Sequence, residues 1–262
     1  MLFVGYLVLG AFAGMLAGLF GIGGGLIIVP VLVLSFHAQG VAPEIITHLA
    51  LGTSLPTMIF TGFSSLRAHQ EAGAVDWGMI RRLGAGMLVG AWLGGMTANL
   101  LSASTLNIII GCFAWTMALQ MGLNLRPKAE RQMPGPVGTG IAGTVIGWLS
   151  ALFGIGGGSM TVPYLSWNSV PMRNAVAASA ACSIPIALAG SLSYLYAGWG
   201  HADLPEWSVG YIYLPALLGI VLTSTQFARV GAKLAHRLSP KRLKQAFALL
   251  MLVVGAKFML FS

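Results

Sequence analysis

The chain has 262 residues, of which 56% are hydrophobic and only 8% charged, with a formal net charge of +8. Soluble domains carry roughly 25% charged residues, so an ordinary soluble globule is excluded. The positive charges flank apolar segments, as membrane-side loops do, which argues against a nucleic-acid partner. Cys112 and Cys182 both lie in apolar sequence, so neither a disulfide framework nor a metal cluster follows from them.

Apolar stretches run over about 2–20, 26–36, 44–66, 79–100, 105–125, 137–153, 159–170, 174–197, 208–228 and 243–261. Several reach the roughly 20 residues that cross hydrocarbon, whereas 26–36 and 159–170 are too short. No Lys or Arg precedes the first stretch and it is too long for a secretory signal, so it is expected to belong to the mature fold. Polar connections fall at about 67–78, 126–136 and 198–207.

The first short stretch follows Leu-Phe-Gly-Ile-Gly-Gly-Gly at 19–25, and the second follows the same seven residues at 152–158. A Val-Pro pair comes next at the same distance, Val29-Pro30 and Val162-Pro163. Farther along, Gly52-Thr53-Ser54-Leu55-Pro56 aligns with Ala181-Cys182-Ser183-Ile184-Pro185, and Ser64 with Ser193. Leu101-Ser102 and Leu106 then match Leu238-Ser239 and Leu243. The halves are therefore 1–125 and 137–262, joined by 126–136, and the period is too long for a solenoid.

Charge orients the halves. If each glycine element crossed the membrane once, seven of the fourteen Lys and Arg residues would face each side. If each enters and returns on one side, thirteen of the fourteen face the cytoplasm, and Glu44, Asp203 and Glu206 face outward. The positive-inside rule favours the second arrangement. The expected fold is an all-α membrane protein of two inverted repeats. Each repeat is a glycine-broken re-entrant hairpin followed by three transmembrane helices, and both termini are periplasmic.

Repeated helix breaks in inverted halves mark the binding site of a secondary transporter. Irregular backbone at membrane depth survives only where protein buries it or water lines it. Helices restarting at about Gly25 and Ser159 would aim free N–H groups and positive dipole ends at the breaks, an anion-binding arrangement. The candidate binding residues are Gly21, Gly23, Gly24 and Gly25 in one break, and Gly154, Gly156, Gly157, Gly158 and Ser159 in the other. Thr53, Ser54, Cys182 and Ser183 come to similar depth on long helices and can donate to anionic oxygens. Ser159 stands where the first copy has Leu26, an extra hydroxyl on one side.

Each feature also has a plainer explanation. Glycines in membrane helices often serve close packing, and hydroxyls often bond their own backbone. His48 lies one turn past Glu44, where a structural role competes with proton transfer. Arg229 and Lys233 would snorkel at a helix end, the alternative being that Arg229 lines an inner vestibule and attracts anions. Trp and Tyr residues around 194–213 fit an outer interfacial belt. A nucleotide fingerprint would need glycine at Leu26 or Ser159, and there is no Walker lysine, so ATP binding is not expected. The long helices carry no mid-membrane cluster of titratable groups, which argues against an enzyme, and no cofactor is called for.

The paired Leu-Phe-Gly-Ile-Gly-Gly-Gly…Val-Pro segments and the two-half layout resemble the TauE/SafE family of sulfite and organosulfonate exporters, also called the toluene-sulfonate uptake permease family. The resemblance covers nearly the whole chain. It implies a secondary transporter in the bacterial cytoplasmic membrane, handling sulfite, sulfoacetate or a related sulfur-containing anion by alternating access. An anion channel with the glycine loops as selectivity filter is the alternative. The partners expected are the small anion and membrane lipid, with a proton or sodium as the candidate coupling ion and a homodimer as the candidate assembly.

Overall fold

Long apolar runs must satisfy every backbone polar group internally once they leave water, and in this chain they do so as helices. A computed structural model describes residues 2–20, 25–123, 132–235 and 240–260. The first half holds α1 (Leu2–Phe20), α2 (Gly25–Ala38), α3 (Pro43–Glu71), α4 (Trp77–Asn99) and α5 (Ala103–Gly122). The second holds α6 (Pro136–Leu152), α7 (Gly158–Trp167), α8 (Met172–Ala197), α9 (Leu214–Ala235) and α10 (Pro240–Leu260). Three segments are long and apolar enough to cross a membrane by length and composition: Pro43–Glu71, Ala103–Gln120 and Met172–Ala197. Exposed side chains such as Phe60 on α3, Leu88 and Trp92 on α4 and Leu192 on α8 give these helices an apolar outer surface.

One expected helix is interrupted. The apolar stretch 208–228 begins with two short antiparallel strands, β1 (Ser208–Val209) and β2 (Ile212–Tyr213), and α9 starts only at Leu214. Trp207 (φ +68°) and Gly210 (φ +55°) take left-handed backbone, which a continuing helix does not allow. The hairpin is then held inward, because the Tyr213 N–H donates to Thr53 Oγ1 at 3.0 Å.

Small residues let the helices approach backbone to backbone. α1 runs parallel to α9, with Gly10 beside Ile220 and Gly14 beside Ser224. α4 runs parallel to α6, with Gly86 beside Gly140, Gly90 beside Thr144 and Gly94 beside Trp148. α3 is antiparallel to α8, where Gly62 meets Ser183 and Leu55 meets Gly190. α5 is antiparallel to α10, where Gly111 meets Gly255 and Gly122 meets Ala248. Exchanging the first five helices for the last five leaves this set of pairings unchanged.

Both short helices return along the direction of the helix before them. Gln39, just past α2, donates through Nε2 to the Tyr6 hydroxyl of α1 at 2.6 Å, closing the mouth of the first helical hairpin. At the second mouth, Thr139 of α6 and Asn168 just past α7 line one cavity of about 530 Å³ together with Asp76 and Arg82. The first mouth lies beside the start of α3. The second lies beside its end, where Arg173 bonds the Ala72 carbonyl and Asn174 the Ala74 carbonyl. A 29-residue helix is roughly 43 Å long, so the mouths lie far apart, at opposite ends of α3.

Candidate functional site

The sequence Leu152-Phe153-Gly154-Ile155 stops α6 by a specific device. The Ile155 N–H bonds the Ser150 carbonyl at 2.9 Å and the Gly154 N–H bonds the Ala151 carbonyl at 3.2 Å. Gly154 takes the left-handed conformation (φ +63°) that this Schellman termination needs. Gly157, the N-cap of α7, is left-handed too (φ +70°). A side chain at either position would cost about 1–2 kcal/mol in backbone strain. Gly154, Gly156 and Gly157 are buried, and Gly158 and Ser159 are half-buried.

The start of α2 packs against the second break. A Cβ built on Gly25, the first residue of α2, would lie 2.5 Å from the Gly154 carbonyl oxygen and 2.9 Å from Ile155 Cα. Glycine is needed here because two backbones meet with no room for a side chain between them. Gly21, Gly23 and Gly24 lie outside the described residues.

Of the hydroxyls expected at this depth, Ser54 reaches the break. Its Oγ donates to the Gly154 carbonyl at 3.0 Å and to the Leu51 carbonyl at 2.8 Å. Ser183 adjoins it: its Cβ is 3.4 Å from the position a Cβ on Gly156 would take, and its Oγ donates to the Ala180 carbonyl at 2.7 Å. Thr53 turns elsewhere, since its hydroxyl accepts the Tyr213 N–H and holds the β1–β2 hairpin. Cys182 is buried in an apolar cluster with Leu83, Met87 and Ile186.

Met58, Ser150 and Thr161 were not among the expected residues. Met58 is buried between the breaks, its Cε against Gly25 and its Sδ 3.1 Å from the Cβ position of Gly156. Its spacing four residues after Ser54 was the available signal, since i and i+4 share a helix face. Ser150 and Thr161 are fully buried, and neither hydroxyl has a hydrogen-bond partner among the described residues. Both border Gly157, whose Cβ position is 3.4 Å from Thr161 Oγ1 and 3.6 Å from Ser150 Oγ.

The remaining candidates have structural surroundings. His48 Nε2 lies 3.0 Å from the Ala98 carbonyl oxygen, tying α3 to the end of α4. The side chains of Arg229 and Lys233 lie outside the described residues. In the aromatic belt, Tyr196, Trp199 and Trp207 are exposed as expected, but Tyr194 and Tyr211 belong to the core. The Tyr194 hydroxyl donates to the Ala151 carbonyl at 3.3 Å, and Tyr211 packs where Gly52 and Gly198 leave space.

Comparisons with known proteins agree with this architecture. The profile of the family described as "Sulfite exporter TauE/SafE" matches residues 6–258. A "Probable membrane transporter protein" of Haemophilus influenzae is 36% identical, over 97% of this chain and 97% of that protein. Proteins described in the same words from Methanocaldococcus jannaschii and Bacillus subtilis are 27% and 29% identical, covering 95% and 98% of this chain and 92% and 97% of their own length. No solved structure matches. A profile spanning nearly the whole chain and a relative of this identity place it among membrane transporters, not enzymes: the chain belongs to the TauE/SafE sulfite exporter family.

Proposed function

We propose that this transporter is a secondary exporter of a small sulfur-containing anion, such as sulfite, sulfoacetate or another organosulfonate, working by alternating access. The observation that carries the reading is the meeting of the two breaks, where Gly25 lies against the Gly154 carbonyl and Ser54, Ser183 and Met58 surround the junction. Helix ends facing a buried junction favour an anion, because their N–H groups and dipoles present positive charge.

The two halves, 1–125 and 137–262, act as inverted repeats joined by a cytoplasmic connection at 126–136. Equivalent helices α3 and α8 packing antiparallel, and hairpin mouths at opposite ends of α3, support the inversion. The protein then sits in the bacterial cytoplasmic membrane with both termini periplasmic. A membrane potential negative inside drives an anion outward by about 2.3 kcal/mol per charge per 100 mV, so export needs no coupling ion. Uptake would need a proton or sodium.

The test is flux of radiolabelled sulfite and sulfoacetate in proteoliposomes holding the purified protein. A carrier gives saturable flux, and unlabelled substrate on the far side accelerates the labelled one. Flux that neither saturates nor shows counterflow identifies an anion channel with the glycine breaks as its filter. Absence of flux for every sulfur-containing anion overturns the reading.

A further inference from the structure

The two breaks share their glycines but differ in the side chains around them. With the glycine runs aligned, Ser150, Ser159 and Thr161 of the second half stand where the first half has Ala17, Leu26 and Ile28. Each position that offers a hydroxyl in one half is apolar in the other.

None of the three hydroxyl oxygens has a hydrogen-bond partner among the described residues. Ser150 and Thr161 are fully buried, 0% exposed, where an unpaired hydroxyl costs about 1–3 kcal/mol. Several other buried hydroxyls are satisfied: Ser54, Thr57, Ser183 and Ser193 each donate to a backbone carbonyl. Other buried hydroxyls unpartnered among the described residues, Ser191, Ser208 and Ser224, stand singly on α8, β1 and α9, whereas three gather at the turn into α7.

Backbone donors point the same way. The N–H groups of Gly156, Gly157, Gly158 and Ser159 have no acceptor among the described residues, whereas those of Met160 and Thr161 bond the Gly157 carbonyl at 3.1 and 2.7 Å. Left-handed Gly157 followed by helical Gly158 brings successive N–H groups onto one concave surface, the form of a backbone anion nest. α7 has ten residues, enough to bring a helix dipole to that surface.

We infer that oxyanion recognition is concentrated in the second break: Ser150 and Thr161, with Ser159 and the free N–H groups at the start of α7, form the subsite for the substrate's oxyanion head. The start of α2 and the middle of α3 supply an apolar wall, Leu26 and Met58, against the rest of the molecule. This rests on the transport reading above and adds to it an orientation for the substrate. It also gives unequal weight to two motifs of identical glycine content.

The experiment is titration calorimetry on detergent-purified, monodisperse protein with sulfite, thiosulfate and sulfoacetate as probes. Thr161→Val keeps the shape and removes the hydroxyl, and should weaken binding by about ten- to a hundred-fold, the effect of one hydrogen bond to a charged group. Thr161→Ser retains the hydroxyl and should bind nearly as the parent does. Ser150→Ala should weaken binding similarly and provides a second variant should Thr161→Val lose its fold. Ser193→Ala, at a buried hydroxyl already bonded to Gly190, and Ile28→Thr, in the first half, should leave affinity unchanged. Unchanged affinity in Thr161→Val and Ser150→Ala overturns the subsite while the transport reading stands. Equal weakening by Thr161→Val and Thr161→Ser overturns it too, since packing would then be responsible. If the parent protein binds none of the three probes, the transport reading falls and the subsite with it.

Discussion

The Ser54 hydroxyl donates to the Gly154 carbonyl oxygen at 3.0 Å, joining residues one hundred positions apart. It is a direct bond between a long helix of the first half and the glycine break of the second. Ser54 has a second acceptor, the Leu51 carbonyl, in its own helix. The hydroxyl therefore ties the left-handed turn at Gly154 to a helix long and apolar enough to span the membrane. Movement of the break relative to α3 must break or carry this bond, so under the proposed alternating-access reading it would act as a latch.

Replacing Ser54 with Ala should leave the buried Gly154 carbonyl without this partner, at about 1–2 kcal/mol. The expected result is a lower unfolding temperature together with altered flux, because the break is held less firmly. Thr57→Val is the companion variant. Its hydroxyl bonds only the Ser54 carbonyl within α3, so it should change flux little. Equal effects of both variants on flux would remove the latch.

Backbone hand gives a second prediction. Gly157 is left-handed (φ +70°) with Ile186 Cδ1 2.6 Å from its Cβ position, whereas Gly140 of α6 has open space there. Gly157→Ala should therefore destabilise by about 1–2 kcal/mol or more and weaken anion binding. Gly140→Ala, in a helix and with open space at its Cβ position, should be neutral or stabilise by up to about 1 kcal/mol. Thermal unfolding in detergent with and without sulfite reads both effects. A Gly157→Ala protein as stable and as responsive to sulfite as the parent would mean the turn is not needed.

The end of α6 at Leu152 and the start of α7 at Gly158 were legible because helix breakers between apolar runs have few other uses. The strands at 208–213 were not legible. Ser-Val-Gly-Tyr-Ile-Tyr continues an apolar stretch, and hydrophobicity alone does not separate a short strand from the first turn of a helix. The role of Thr53 was hidden as well, since its partner Tyr213 lies 160 residues away. Ser150 and Thr161 were missed for a different reason. A hydroxyl in apolar helix sequence usually bonds its own backbone, and only the folded turn leaves these two unpaired among the described residues.

Topology yields a third prediction. Single cysteines at the N-terminus, at 130 and at 203, introduced into a variant lacking Cys112 and Cys182, should divide cleanly in intact cells. An impermeant maleimide should label the N-terminal and 203 sites and spare 130 until the membrane is opened. The thirteen-to-one distribution of positive residues motivates this. Labelling at 130 with protection at 203 would reverse the orientation, and protection of the N-terminus with labelling at 203 would remove the re-entrant hairpin.

Thr53 separates fold from binding. Its Oγ1 accepts the Tyr213 N–H at 3.0 Å, while Tyr211 of the same hairpin fills the space left by Gly52 and Gly198. Thr53→Val keeps the volume but removes the acceptor, leaving a partly buried backbone N–H unpaired at about 1–3 kcal/mol. Thr53→Ser retains the oxygen and should recover most of that loss. Anion affinity should follow a different pattern, close to the parent value in both variants, because the hydroxyl faces the hairpin rather than the glycine junction. Unfolding temperature and sulfite calorimetry on the same preparations distinguish the two roles. A Thr53→Val protein with parental stability and ten-fold weaker sulfite binding would return Thr53 to the substrate site and leave the hairpin held by its other contacts, such as the Tyr211 N–H bond to the Tyr194 carbonyl.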